Sequence, residues 1–241
     1  MLKSPTGIPG FDRMTSGGLP KGRTTLLVGG PGSGKTIFAA QFLVHGARVC
    51  REPGIFVAFE ESPKRIVANF EGFGWDIRSL QKNKLFFLDA HPTPDLVQSG
   101  NFDISGMLAS LGAKAKEMRA RRIVFDAIDV LLALLSDQAA VRLEMHRLHR
   151  WLIDNQFTAL ITAKIREDVR DAGLQAFSFM QFMVDCSVVL NHRVDHGVSQ
   201  RDLRVQKHRG SSYNEDETPF VISKTGFNVA ISRALAMSRS A

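Results

Sequence analysis

Eight residues, Gly29-Gly30-Pro31-Gly32-Ser33-Gly34-Lys35-Thr36, match the phosphate-loop pattern GxxxxGK[ST]; they stand between an apolar run, Thr24 to Val28, and a stretch of helical character. Backbone N–H groups can curl around phosphate oxygens only where Cβ atoms do not obstruct them, and a helix that starts near Lys35 aims its positive end at the same anion. A glycine-rich turn between strand and helix is common, but the full spacing with Lys-Thr in place is not. The pattern therefore predicts a nucleoside triphosphate cradle of Gly30, Pro31, Gly32, Ser33, Gly34, Lys35, Thr36 and Ile37. In it Lys35 reaches the β- and γ-phosphates and Thr36 ligates Mg2+.

A phosphate loop needs a sheet to stand on, and the rest of the chain offers one. Short apolar runs recur at Thr24–Val28, Ile55–Phe59, Leu85–Leu88, Ile123–Phe125, Thr158–Ile161 and Ser187–Leu190, with helical stretches between them. That alternation predicts an α/β fold, a mostly parallel twisted sheet flanked by helices. Ile104, Leu108, Leu111, Ala115 and Met118 fall on one stripe, and Val141, Met145, Leu148 and Leu152 on another, each at the spacing of an amphipathic helix packed on a core. Near the end, Leu203–Gln206 and Phe220–Ile222 flank a polar segment and predict an antiparallel hairpin at the sheet edge. Residues Pro92 to Ser99 and Ile165 to Phe177 read as exposed loops. The domain is expected over residues 1–232, with 233–241 as a tail or linker remnant.

Two acids at the end of the second run, Glu60 and Glu61 in Phe59-Glu60-Glu61-Ser62-Pro63, lie at the strand ends where open α/β sheets bind ligands. A carboxylate there can orient or deprotonate an attacking water; alternatively the pair caps a helix starting near Pro63. Consecutive side chains diverge, so one acid is expected to face the phosphates and the other to orient it. Asp126 ends the run Arg122-Ile123-Val124-Phe125, as the acid of a Walker-B strand does, and is expected to hold Mg2+ through a water. Thr162, after the next run, reads either as a γ-phosphate sensor or as a hydroxyl satisfying local backbone.

The sequence holds 44% hydrophobic and 23% charged residues, which excludes a disordered or fibrous chain, and no apolar run reaches membrane-spanning length. Met1 to Gly7 lack the layout of a secretory signal. Two cysteines, Cys50 and Cys186, support neither a disulfide framework nor a zinc cluster, and a reducing cytoplasm is the expected location. The net charge of +7 invites nucleic acid, but the densest basic stretches, Lys114 to Arg122 and Arg142 to Arg150, alternate with Leu, Met and Ala as solvated helix faces do.

An ordered set of further motifs narrows the class. Thr6-Gly7-Ile8-Pro9-Gly10-Phe11-Asp12, Gly17-Gly18-Leu19-Pro20-Lys21-Gly22-Arg23, the phosphate loop, Phe59-Glu60-Glu61, Phe73-Gly74-Trp75-Asp76 and Lys207-His208-Arg209-Gly210 together resemble the KaiC family of RecA-like ATPases, from about Thr6 to Asn228. The resemblance implies a homo-oligomer, a ring of six subunits with Mg-ATP at each interface, and a small partner of KaiB type. By it, Lys35, Thr36, Asp126 and the Glu60–Glu61 pair act from one subunit, while Lys207 and Arg209 reach the neighbour's γ-phosphate, with Ser211 and Tyr213 beside the same nucleotide. A K-x-R pair on one strand face is independently suited to stabilising transition-state charge. The family carries two such modules in tandem, and this chain resembles the N-terminal one, a single-module relative or an isolated half.

Two departures stand out. Gln181 and Phe182 occupy the places of the hydroxyl residues that the C-terminal module phosphorylates, with Ser178 and Ser187 at other offsets, so hydrolysis is expected and self-phosphorylation is in doubt. Lys164 stands where the family has an acid. The basic balance also admits a RecA- or RadA-like motor on single-stranded DNA, with Arg166, Arg170, Phe177 and Phe179 as its loop residues. A self-phosphorylating Ser/Thr kinase is the third reading.

Overall fold

Strand β3 (Thr24–Gly29) runs through the middle of the molecule, buried along its whole length, and everything that positions the phosphate loop is built around it. The computed structural model describes residues 1–92, 104–135, 137–164 and 179–230. The expected tail 233–241, most of the loop after Pro92, and the loop containing Arg166, Arg170, Phe177 and Ser178 lie outside the described residues.

Parallel to β3 are β4 (Gly54–Ala58), β5 (Leu85–Asp89), β6 (Arg122–Asp126), β7 (Thr158–Lys164) and β8 (Cys186–Asp195). The antiparallel β9 (Val198–His208), β10 (Thr218–Ser223) and β11 (Gly226–Val229) complete a nine-stranded sheet of order β11-β10-β9-β8-β3-β7-β6-β4-β5. Each apolar run read from the sequence falls on one of these strands, with Phe59 one residue past the end of β4. The expected hairpin is present, Leu203 facing Thr218, within a larger antiparallel edge in which β8 returns as β9 and β10 returns as β11. A separate two-stranded sheet, β1 (Lys3–Ser4) with β2 (Leu19–Pro20), was not anticipated.

Among the described residues the α-helices are α1 (Pro9–Met14), α2 (Lys35–His45), α3 (Pro63–Phe70), α4 (Ile77–Leu80), α5 (Ile104–Met118), α6 (Ile128–Leu132) and α7 (Gln138–Asp154). Successive strand residues point to opposite faces, so two cores form. Leu27 and Val124 join one with Phe11, Phe38, Phe42 and Phe70, from α1, α2 and α3. Leu26, Val28, Ile123 and Phe125 join the other with Leu108, Leu111, Met145 and Leu148, from α5 and α7. The two stripes read from the sequence supply that second core.

Several of the family-like motifs are architectural. The Asp12 carboxylate accepts hydrogen bonds from the backbone N–H of Thr6 (2.9 Å) and Gly7 (3.1 Å) and from the Thr6 hydroxyl, tying the first turn of the chain to α1. Trp75 stacks on Phe73 at 4.7 Å and donates Nε1–H to the Thr225 carbonyl, holding the turn between β10 and β11.

Candidate active site

Register brings the chemistry to one edge. Gly29 pairs with Lys164, Ala58 with Asp126, and Phe125 with Ile161, which sets Thr162 beside Asp126. The C-terminal ends of β3, β4, β6 and β7 therefore converge, and the phosphate loop, Glu60, Asp126, Thr162 and Lys164 all emerge there, as ligand sites do in open parallel sheets.

The loop between β3 and α2 is shaped as its sequence requires. Gly34, the residue before α2, has φ +93°, a left-handed conformation that favours glycine. A Cβ added to Gly30 would meet nothing within 4 Å, leaving open space beside the loop. The Ser33 hydroxyl is buried without a hydrogen-bond partner, and Lys35 Nζ donates to the loop's own carbonyls, Gly29 O at 2.8 Å and Gly30 O at 3.0 Å. A donor-rich loop whose lysine, among the described residues, hydrogen-bonds to the loop's own backbone, next to open space at a helix N-terminus, fits a polyphosphate.

Burial pushes the Lys35 ammonium below its ordinary value, while Asp126, Asp129 and Glu60 pull it up and Lys164 pushes it down again. Asp126 is buried, which raises its pKa; hydrogen bonds from the Thr162 and Thr36 hydroxyls and the charge of Lys35 work in the opposite direction. Thr36 and Asp126 are thus in contact with each other, a hydroxyl and a carboxylate on adjoining elements. Among the described residues no group of three or more His, Cys, Asp and Glu could hold a metal. A hard ion held by one hydroxyl, one carboxylate, waters and phosphate oxygens matches the way Mg2+ is bound with nucleotides.

The two adjacent glutamates diverge. Glu60 forms an ion pair with Lys164, at the mouth of the site. Glu61 turns to α3, with Arg65 Nε 3.3 Å from its carboxylate and Asn69 donating to it at 3.0 Å. Sequence reasoning missed Asp129, whose carboxylate accepts the backbone N–H of Lys164 at 3.0 Å and belongs to the electrostatic surroundings of Lys35. Its signal was the D-x-x-D spacing, Asp126 to Asp129, across the start of α6.

Lys207, Arg209, Ser211 and Tyr213 are not brought to this edge. Lys207 pairs with Ser187, which lies beside Leu26, whereas Gly29 lies beside Leu190. At about 3.3 Å per residue that places Lys207 roughly 10 Å below Gly29 along the strand direction and, on β9, two strands to the side of it, with Arg209 farther still. Lys207 Nζ donates to the carbonyls of Gln181 (2.7 Å) and Phe182 (3.2 Å), and Arg209 Nη2 to that of Phe182 (3.0 Å). Tyr213 packs its ring on His208 and donates to Gln206 O, and the Ser211 hydroxyl donates to Ser212 O. Of the residues named for DNA binding, Phe179 lies against His146 and under the Arg142 guanidinium, so it is no free stacking platform.

A RecA-like sheet, a phosphate loop running into α2, an acid ending β6 and glutamates after β4 define a P-loop ATPase domain. The family described as "ATPase: KaiC" matches residues 4–233. The chain belongs to the KaiC family. It is 36% identical, over its whole length, to the circadian clock protein KaiC2 of Synechocystis, of which it covers 42%. It is 38% identical over 98% of its length to the circadian clock oscillator protein KaiC of Prochlorococcus marinus, of which it covers 47%. Against the KaiC3 protein of Synechocystis the identity is 38% over 93% of the chain and 45% of the relative. The chain thus spans less than half the length of these relatives, and it is most like the N-terminal of the family's modules. Among the described residues no helix is long and apolar enough to cross a membrane.

Proposed function

We propose that this domain hydrolyses Mg-ATP at interfaces between copies of itself, in a six-membered ring of the KaiC type, within circadian-clock-type or related signalling. The observation that carries this reading is the separation of Lys207 and Arg209 from the phosphate loop of their own chain. Two cations, Lys207 near the end of β9 and Arg209 just past it, anchored on the carbonyls of Gln181 and Phe182, serve a nucleotide only if it belongs to a second copy.

Lys35 and the loop N–H groups bind and orient the β- and γ-phosphates. Thr36 and Asp126 would hold Mg2+, which when bound neutralises charge on those phosphates. Glu60 positions the attacking water and takes its proton as the water oxygen bonds to the γ-phosphorus. The bond from that phosphorus to the bridging oxygen breaks, and ADP leaves with the electron pair. Lys207 and Arg209 of a second copy stabilise the charge spread over the equatorial oxygens. Gln181 and Phe182 offer no hydroxyl as acceptor, which supports transfer to water rather than self-phosphorylation. By the same family likeness, a small protein of KaiB type is the partner to test.

Solution mass measured with ADP and with a non-hydrolysable ATP analogue tests the assembly, with a sixfold increase expected in the triphosphate state. Arg209→Ala is expected to retain nucleotide binding and lose hydrolysis by about 10³-fold, the scale of a lost trans-acting arginine. A strictly monomeric protein that turns over at full rate, or an unaffected Arg209→Ala variant, sinks the reading.

A further inference from the structure

Lys164 occupies a telling position. It ends β7 opposite Gly29, the first residue of the phosphate loop, and its backbone N–H is fixed by Asp129. Its ammonium is ion-paired with Glu60, and both side chains remain about a third exposed, 37% and 36%. The pair therefore sits at the lip of the site, where a water bound for the γ-phosphate would also have to reach Glu60.

An ammonium held against a carboxylate occupies an oxygen that would otherwise orient water, and it fixes the side chain in one direction. Glu61 does not escape either, since Arg65 and Asn69 hold it on α3. Both acids after β4 are thus tethered, but only the tether on Glu60 comes from another strand end.

We propose that Lys164 is a positioning residue that restrains Glu60 and so sets the rate of hydrolysis, a brake built into the strand end. The inference rests on the reading of Glu60 as the group that activates water. The cation competes with water for the Glu60 carboxylate, and each turnover requires the pair to open. An exposed pair is a weak restraint, so the brake is a tuning device rather than a block.

The test is steady-state phosphate release by the full chain with saturating and limiting Mg-ATP, for the parent, Lys164→Met, Lys164→Arg, Glu60→Gln and the Lys164→Met/Glu60→Gln double variant. Methionine keeps the length of the side chain and removes its charge. We expect kcat of Lys164→Met to rise about two- to fivefold with KM unchanged, the span set by an exposed ion pair. Lys164→Arg, which keeps the cation, should return kcat toward the parent's. The gain should vanish in the double variant, because it acts only through Glu60. If Glu60→Gln abolishes hydrolysis but Lys164→Met leaves kcat equal or lower, the brake is refuted while the role of Glu60 stands. If Glu60→Gln hydrolyses at the parent rate, the role of Glu60 falls, and the brake with it.

Discussion

The Thr162 hydroxyl donates to the Asp126 carboxylate across neighbouring strand ends, a contact set by the β6–β7 register. Thr162 itself is fully buried, and its partner is the candidate Mg2+ residue. The sequence leaves a choice between a γ-phosphate sensor and a hydroxyl satisfying local backbone, whereas the hydroxyl bonds instead to the side chain of a distant acid. Thr162→Val keeps the shape and leaves a buried carboxylate short of one donor, so about 1–3 kcal/mol of stability should be lost. Urea denaturation measures that loss, and titration of Mg-ATP should show weaker binding than in the parent at the same Mg2+ concentration.

Lys35 donates to the Gly29 and Gly30 carbonyls at the head of the phosphate loop. Polyphosphate oxygens there would offer the same ammonium charged acceptors. Each charge-assisted bond contributes about 1.5–3 kcal/mol, so Lys35→Ala should weaken ATP binding by about 100-fold or more. A thermal melt with and without Mg-ATP reads this directly. The parent gains Tm with ligand while the variant does not, and the two melt within a few degrees of each other when ligand-free.

Glu60 and Glu61 are adjacent in sequence but have different partners. Glu60 meets Lys164 at the strand ends, and Glu61 meets Arg65 and Asn69 along α3. Glu60→Gln should therefore lower kcat by about 10²–10⁴-fold, the range of a general base, and Glu61→Gln by about tenfold or less. Both should retain ATP affinity. Equal losses in the two variants, measured as phosphate release, would show that the acids act as a unit.

The parallel strands were legible because a strand buried on both faces leaves a continuous apolar run, and because the phosphate loop fixes what must precede and follow it. The stripes of α5 and α7 were legible through their three-to-four spacing. What the sequence concealed depends on register. Nothing in the order of residues says that Thr162 faces Asp126, that Lys164 reaches back to Glu60, or that Asp129 anchors the Lys164 backbone, since these contacts join elements far apart in the chain. The placement of Lys207 three positions down the sheet from Gly29 is likewise a register fact, and it sets the Lys207–Arg209 pair apart from the strand ends where the phosphate loop emerges.

Glu52 offers a prediction about stability rather than catalysis. Its carboxylate accepts from Arg122 Nε at 2.7 Å and from Lys21 Nζ at 2.6 Å, and Arg122, with no exposed side-chain surface, also donates to the carbonyls of Pro5 and Phe42. Burial raises the Glu52 pKa, but the hydrogen bonds and charges of Lys21 and Arg122 outweigh it and hold the group below the ordinary glutamate value. A depressed pKa in the folded state means that Glu52 contributes stability above its unfolded-state pKa and loses that contribution as pH falls through the folded-state value. Glu52→Ala strands the Arg122 guanidinium and should cost about 3–5 kcal/mol at neutral pH. Denaturation midpoints followed from about pH 6 to about pH 3 should converge for parent and variant as the acid is titrated, since the parent alone has this carboxylate to protonate. A difference that stays constant over that range would mean that packing around Arg122, and not the charge of Glu52, holds the N-terminal segment to β6.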